Sequence, residues 1–365
     1  MHYFSVFPDI FEIATDSSEF TKNILYALYP VLYIISGPIS YRFIWMSFYW
    51  SNWVAWLLLI MSLWLKYFNM YDWTEASGHT IIVLISGLII PGSGVLSVKY
   101  FPAHQQLLAL ILSSLGHPLG ICLAMSLKSF ITDKNMILTE AFLTSVIGVL
   151  FLMFTERDKH TRDGYKSFFE SWKTIFENQQ RCVLYIATSA QIGIIYFILA
   201  NFQIIEKRAG YSDTELDVMQ AIFGVCGYLG SLFMLFTFKK SQHFAMILRV
   251  ALVISTLSLF MWAFLFKTKS INIILSICTS VTLLSSLPMT LLALYNTHPA
   301  IHHPFSMNLA YFTYPIVLIL LMGACHAFEN YVELTGLWIC ALAELLIVTS
   351  FIAVYEPDNY RKVNN

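Results

Sequence analysis

Residues 183–205 read VLYIATSAQIGIIYFILANFQII, 23 positions without one Asp, Glu, Lys or Arg. Wound as an α-helix rising 1.5 Å per residue, this run is about 34 Å long, enough to cross the roughly 30 Å hydrocarbon layer of a bilayer. Similar runs lie on both sides of it. Upstream they fall near 23–39, 44–65, 80–98, 107–127 and 137–154, and downstream near 219–238, 245–265, 271–294, 306–325 and 334–354. The expectation is an all-α, polytopic membrane protein of about 11 spans, five before a polar stretch at 155–181 and six after it.

Composition agrees. Of the 365 residues, 58% are hydrophobic and 12% charged, with a mean hydropathy of +0.67. A soluble domain carries about 25% charge, and one chain of this length cannot bury so much apolar surface from water. The net charge of -1 offers nothing to a polyanion, so no nucleic-acid partner is expected. The six cysteines stand singly, with no CxxC, which argues against a disulfide framework or a zinc site.

The polar stretch orients the chain. It holds Arg157, Lys159, Arg162, Lys166, Lys173 and Arg181, the largest basic cluster, and basic loops stay on the cytosolic side. The central loop and the C-terminus are therefore expected in the cytosol. Within the loop, Tyr165, Phe168, Phe169, Trp172, Ile175 and Phe176 recur at helical spacing between Lys166, Glu170, Lys173 and Glu177. That pattern suits an amphipathic helix on the inner leaflet or a strut between two bundles. The division expected is an N-terminal bundle over 1–154, a linker over 155–181 and a C-terminal bundle over 182–365. A short basic turn is expected in each bundle, at Gly37-Pro38-Ile39-Ser40-Tyr41-Arg42 and at Lys239-Lys240 after Gly227 and Gly230.

Phe101-Pro102-Ala103-His104-Gln105, then Gly116-His117-Pro118-Leu119-Gly120, resemble the fourth-to-fifth-helix stretch of the feline leukaemia virus subgroup C receptor-related transporters. These form solute carrier family 49 of the major facilitator superfamily. Ala209-Gly210-Tyr211-Ser212, the stretch from Phe223 to Gly230-Ser231, and Lys240-Ser241-Gln242-His243-Phe244 are similar to the same family. The resemblance implies two bundles with a solute site between them, and alternating access. It also implies that the family's first helix would precede Phe7-Pro8-Asp9-Ile10. The acidic positions of the family's gating motif fall on Tyr41 and Lys239, while the basic Arg42 and Lys240 remain. Of an aromatic cage for choline, which attracts a quaternary ammonium to ring faces, the tyrosine falls on Tyr196. Two supporting glutamines fall on Pro118 and Phe312, and a partner tryptophan belongs to the first helix.

Polar groups inside spans are costly and face a cavity or another helix. Gln191, Asn201, Gln203, Gln220, His117, Asn308 and Glu344 are of this kind. Gln203 follows Tyr196 by two helical turns, and Asn308, Tyr311 and Tyr314 are spaced by three on one helix, with Pro315 beside them. The candidate solute-binding residues are Tyr196, Gln203, Asn308, Tyr311, Glu344 and His117, lining a hollow suited to a small organic cation or amphiphile. Interhelical hydrogen bonding gives the same residues a packing role. In the 80–98 run, Gly87, Pro91, Gly92 and Gly94 suit either a hinge or tight helix packing.

Two enzyme-like patterns lack their partners. Ser77-Gly78-His79 lacks the flanking basic pairs that phosphoryl transfer to a histidine needs. His298, His302 and His303 stand without the further histidines of a di-iron site. No catalytic residue, metal or cofactor is expected. The expected partners are the bilayer and a small organic solute, possible classes being a choline-like amine or a haem-related or vitamin-like molecule. Oligomeric state and the choice between plasma and endolysosomal membrane stay open. The alternative reading is a non-transporting relative acting as a membrane receptor or scaffold.

Overall fold

The computed structural model describes residues 19–68, 72–102, 133–154, 168–207, 209–238, 244–297, 303–328 and 335–354, with isolated positions between 105 and 131; some side chains within these stretches are outside the description. Eleven helices are defined among the described residues: α1 (Glu19–Met46), α2 (Phe48–Phe68), α3 (Asp72–Tyr100), α4 (Asp133–Phe154), α5 (Phe168–Phe176), α6 (Gln179–Lys207), α7 (Asp213–Phe238), α8 (Phe244–Leu265), α9 (Lys269–Thr297), α10 (His303–Phe328) and α11 (Thr335–Val354). Ten of them coincide with expected spans, and α5 with the amphipathic segment. The expected 107–127 span falls mostly outside the described residues. Six described helices contain stretches long and apolar enough to cross a membrane.

The outward faces show what solvent surrounds them. On α7, Val218, Ile222, Val225, Leu229, Phe233 and Phe236 are exposed at spacings of three or four, a continuous apolar stripe. On α4, Phe142, Val146, Ile147, Val149, Leu150 and Met153 are likewise exposed. Surfaces of this extent are stable against lipid tails and not against water.

One expected turn is not a turn. Gly37 to Arg42 lies inside α1, which continues to Met46. The break comes at Ser47, whose hydroxyl accepts the Trp50 N–H at 3.3 Å and caps α2. Glycine and proline interrupt helices weakly in membranes, where neighbouring helices shield the backbone. Tyr41, where the resemblance puts a gating acid, is accordingly a buried helical side chain.

Helix association in lipid lacks the hydrophobic driving force, so close approach and polar pairing matter more. A Cβ built on Gly227 of α7 would stand 2.5 Å from Ser280 Oγ and 2.8 Å from Leu284 Cδ2 of α9; one on Gly230 would stand 3.1 Å from Val281. Ser231 donates to the Leu284 carbonyl at 2.6 Å, and the Ser280 hydroxyl donates to the Phe223 carbonyl. Likewise Gly87 of α3 faces Ser36 and Ser40 of α1. Gly87 therefore serves tight packing within an unbroken α3. Ser77-Gly78-His79 sits in the first half of the same helix, where Gly78 faces Ser62 and Lys66 of α2.

α9 joins α7 and α8, and also packs on α6; α11 packs on α6 and α8. α1, α2 and α3 pack on one another, with α4 on α2. The main contacts between these two sets of helices are those of α10 with α1 and α3. Short α5 rests on α6 through buried Ile175 and half-buried Trp172, leaving Phe169 and Phe176 exposed. The Trp172 indole donates to the Tyr185 hydroxyl (3.2 Å), which donates to the Leu309 carbonyl of α10 (3.0 Å).

Deep in the α6–α9 seam, the Gln191 amide donates to the Ser286 hydroxyl and accepts from Thr290 at 2.7 Å. Both hydroxyls also reach carbonyls of their own helix, at Leu283 and Leu287. Gln191→Leu strands no polar atom, so it should cost no more than about 1 kcal/mol. The check is a thermal unfolding midpoint in detergent within a few degrees of wild type.

Candidate functional site

The site lies where α10 bridges the two sets of helices. Tyr314 of α10 stacks on Tyr196 of α6, with centroids 4.8 Å apart and planes 29° apart. Tyr33 of α1 meets Tyr314 at 5.8 Å and Phe312 at 6.0 Å, and Tyr311 stands edge-on to Tyr314 at 6.4 Å. These five rings come from three helices and are all buried. Their separations fall in the favourable 4.5–7 Å range for aromatic pairs.

Two glycines set this register. A Cβ on Gly37 would stand 2.7 Å from the Phe312 ring, so α1 reaches α10 only because that position is bare. A Cβ on Gly193 would stand 2.8 Å from Val317 and 3.4 Å from the Tyr314 carbonyl. Gly193 thus lets α6 approach α10, and Tyr196, one turn further on, meets Tyr314. Beside the rings, the hydroxyls of Ser189 and Thr313 pair across the same seam at 2.6 Å.

Two of the sequence candidates, Tyr196 and Tyr311, come together here through Tyr314. Gln203 and Asn308 lie on α6 and α10, but their side chains are outside the description, and His117 lies outside the described residues. Glu344 is fully buried on α11 with Ser255 of α8 facing it, and neither carboxyl oxygen has a hydrogen-bond partner among the described residues. Gln220 donates to the Leu199 carbonyl and Asn201 to the Phe197 carbonyl, both structural roles. Tyr33 was not among the expected site residues, and Phe312 entered only as a position where the resemblance puts a supporting glutamine. Tyr33 belongs to a helix whose own periodicity carries no information about the partner it meets across the molecule.

Cation attraction is the chemistry such rings offer. Each face carries a negative quadrupole, and a desolvated cation over one gains about 2 kcal/mol. Among the described residues no carboxylate stands with the five rings, so the attraction would come from ring faces and hydroxyl oxygens.

The sequence profile of the Major Facilitator Superfamily matches residues 2–322. The chain belongs to the Major Facilitator Superfamily. Among curated proteins, solute carrier family 49 member A3 of Danio rerio is 21% identical over 194 residues, 50% of this chain and 41% of that protein. The chain thus spans about two fifths of the length of that relative. Among solved structures, a variant of the E. coli fucose:proton symporter FucP superposes with a TM-score of 0.67 at 12% identity, over 97% of this chain and 96% of that one. FucP in the outward conformation gives 0.68 at 13% identity, over 96% and 94%. At these identities the shared property is the fold. This major facilitator chain is an integral, multi-pass membrane protein of a transporter superfamily, similar over half its length to one member of solute carrier family 49.

Proposed function

We propose that the chain moves a small organic solute across the bilayer by alternating access, with a choline-like amine as the first class to try. The observation that carries this reading is the stack of Tyr196 on Tyr314, joined by Tyr33 where α10 meets α1. The meeting of two bundles is where a solute must pass if they rock about a central site. In this reading the bundles are 1–154 and 182–365, with 155–181 a cytosolic linker and the C-terminus cytosolic. Tyr196 and Tyr311 face the cation, Gln203, Asn308 and His117 supply hydrogen bonds, and Glu344 balances charge on α11. Haem-related and vitamin-like solutes are the other classes in view.

Uptake of radiolabelled choline and ethanolamine into expressing cells tests the proposal. Wild type is expected to exceed vector-only cells, and Tyr196→Ala to lose most of the excess. Losing one ring of a desolvated cage removes about 2 kcal/mol, roughly 30-fold in affinity. A second reading, a receptor or scaffold, draws on how closely the five buried rings pack on one another. Uptake equal to vector for every solute class, by a protein shown to reach the membrane, would select it.

A further inference from the structure

A second polar cluster lies at the end of the C-terminal helices where α6 turns into α7 and α8 into α9. Glu206 stands just past the apolar 183–205 run and has no exposed surface. One carboxyl oxygen accepts from the Asn272 amide of α9; the other, Oε1, is buried with no partner among the described residues. Asn272 in turn accepts from the buried Trp262 indole of α8 at 2.6 Å. Three helices therefore converge on one carboxyl. The turn above closes it in: Ala209 N–H donates to the Glu206 carbonyl at 2.9 Å, and Gly210 takes a φ of 84°, a backbone conformation that suits glycine.

The other titratable groups here answer to one another. In the turn, the Tyr211 hydroxyl donates to the Lys269 carbonyl at 2.6 Å. The Lys269 ammonium, on α9, stands 4.9 Å over the Tyr211 ring and 3.9 Å from Glu215 of α7. Both of those charged side chains are half exposed to solvent. Lys207 on α6 and Lys267, before α9, are exposed. Tyr211 feels the charges of both Glu206 and Glu215. α8 contributes Trp262 but no charge to the cluster, and α10 and α11 show no charged side chain at this end among those described.

We infer that Glu206 is a proton-binding site, and that its bound proton holds the ends of α6, α8 and α9 together. An ionised carboxylate so deeply buried, with one oxygen unmatched, is costly unless a cation accompanies it. Burial raises this carboxyl from its ordinary 4.5 to about 7, against the lowering effect of the Asn272 hydrogen bond and the nearby Trp262 indole. Proton release charges the pocket and favours opening of the cluster to water. Tyr196 lies ten residues back on the same helix, about 15 Å away, so movement at this end is carried to the ring cluster. The site stands whether or not the chain carries an amine.

The test is thermal unfolding of the purified full chain in detergent between pH 4.5 and 8.5. The folded carboxyl titrates higher than the unfolded one. Its stabilising proton is fully present below about 4.5 and lost as pH rises through about 7. Wild type is expected to lose several degrees over that window. Glu206→Gln, permanently neutral, should lack the step and keep the low-pH midpoint. Trp262→Phe, which deprives Asn272 of its partner and weakens support for the ionised form, should move the step to higher pH. This second variant decides the matter if Glu206→Gln does not fold. An unchanged step in Glu206→Gln, or no step in wild type, overturns the assignment. So does stabilisation at pH 8 by sodium over N-methylglucamine that Glu206→Gln abolishes, since it would assign the pocket to a metal cation.

Discussion

Gly37→Leu is expected to open the contact between α1 and α10 while leaving the chain folded. The wild-type position has room for no Cβ, because one would stand 2.7 Å from the Phe312 ring. The obstacle is a side-chain ring at a seam between two sets of helices, not the backbone of a neighbour within one set. Separation of the seam relieves the clash without undoing either set. Overpacking costs about 1–3 kcal/mol. Placed on one of two conformers, that shifts their ratio roughly 5- to 150-fold toward the one in which the helices part. The readout is the reactivity of a cysteine at Leu32, which packs half-buried against the core, after replacement of the six native cysteines. Maleimide labelling should accelerate in the Gly37→Leu background, and solute uptake should fall because one conformer is suppressed. Unchanged labelling would mean that the seam does not move.

Gly227→Leu should act on assembly instead. Its Cβ would press on Ser280 and Leu284 at 2.5 and 2.8 Å, in a seam where Gly230 and the Ser231 hydrogen bond leave no slack. Here both helices belong to one set, so relief requires parting α7 from α9 and losing the Ser231 and Ser280 bonds together. A penalty of about 3 kcal/mol corresponds to a fall of roughly 4 °C in unfolding midpoint for a chain of this length. Gly323→Leu is the matched control, because nothing stands within 4 Å of a Cβ there and the position is exposed. A Gly227→Leu protein as stable as that control would show that α7 and α9 do not need this approach.

The spans were legible because they rest on one quantity, the length of an uninterrupted apolar run. Residues 245–265 and helix Phe244–Leu265 differ by a single residue. The turn at Ser47 was not legible: Gly37 and Pro38 outweigh a lone serine as breakers in water, whereas packing governs the choice inside a bilayer. At the site, Tyr196, Tyr311 and Tyr314 stand out as polar-tipped rings within spans. Tyr33 does not, because contact between distant helices leaves no periodic trace along either. Glu206 is not legible for a related reason. Beside Lys207 and Arg208 it reads as an ordinary charged helix end, and only the approach of Asn272 and Trp262 encloses it.

The link from Trp172 through Tyr185 to the Leu309 carbonyl has an experimental use. It fastens a short amphipathic segment to the helix that spans the two lobes. Because Phe176 on that segment is 56% exposed, a fluorophore there would follow α10 without intruding on the aromatic cluster. The molecule thus supplies its own lever arm for watching α10 move in single molecules in real time.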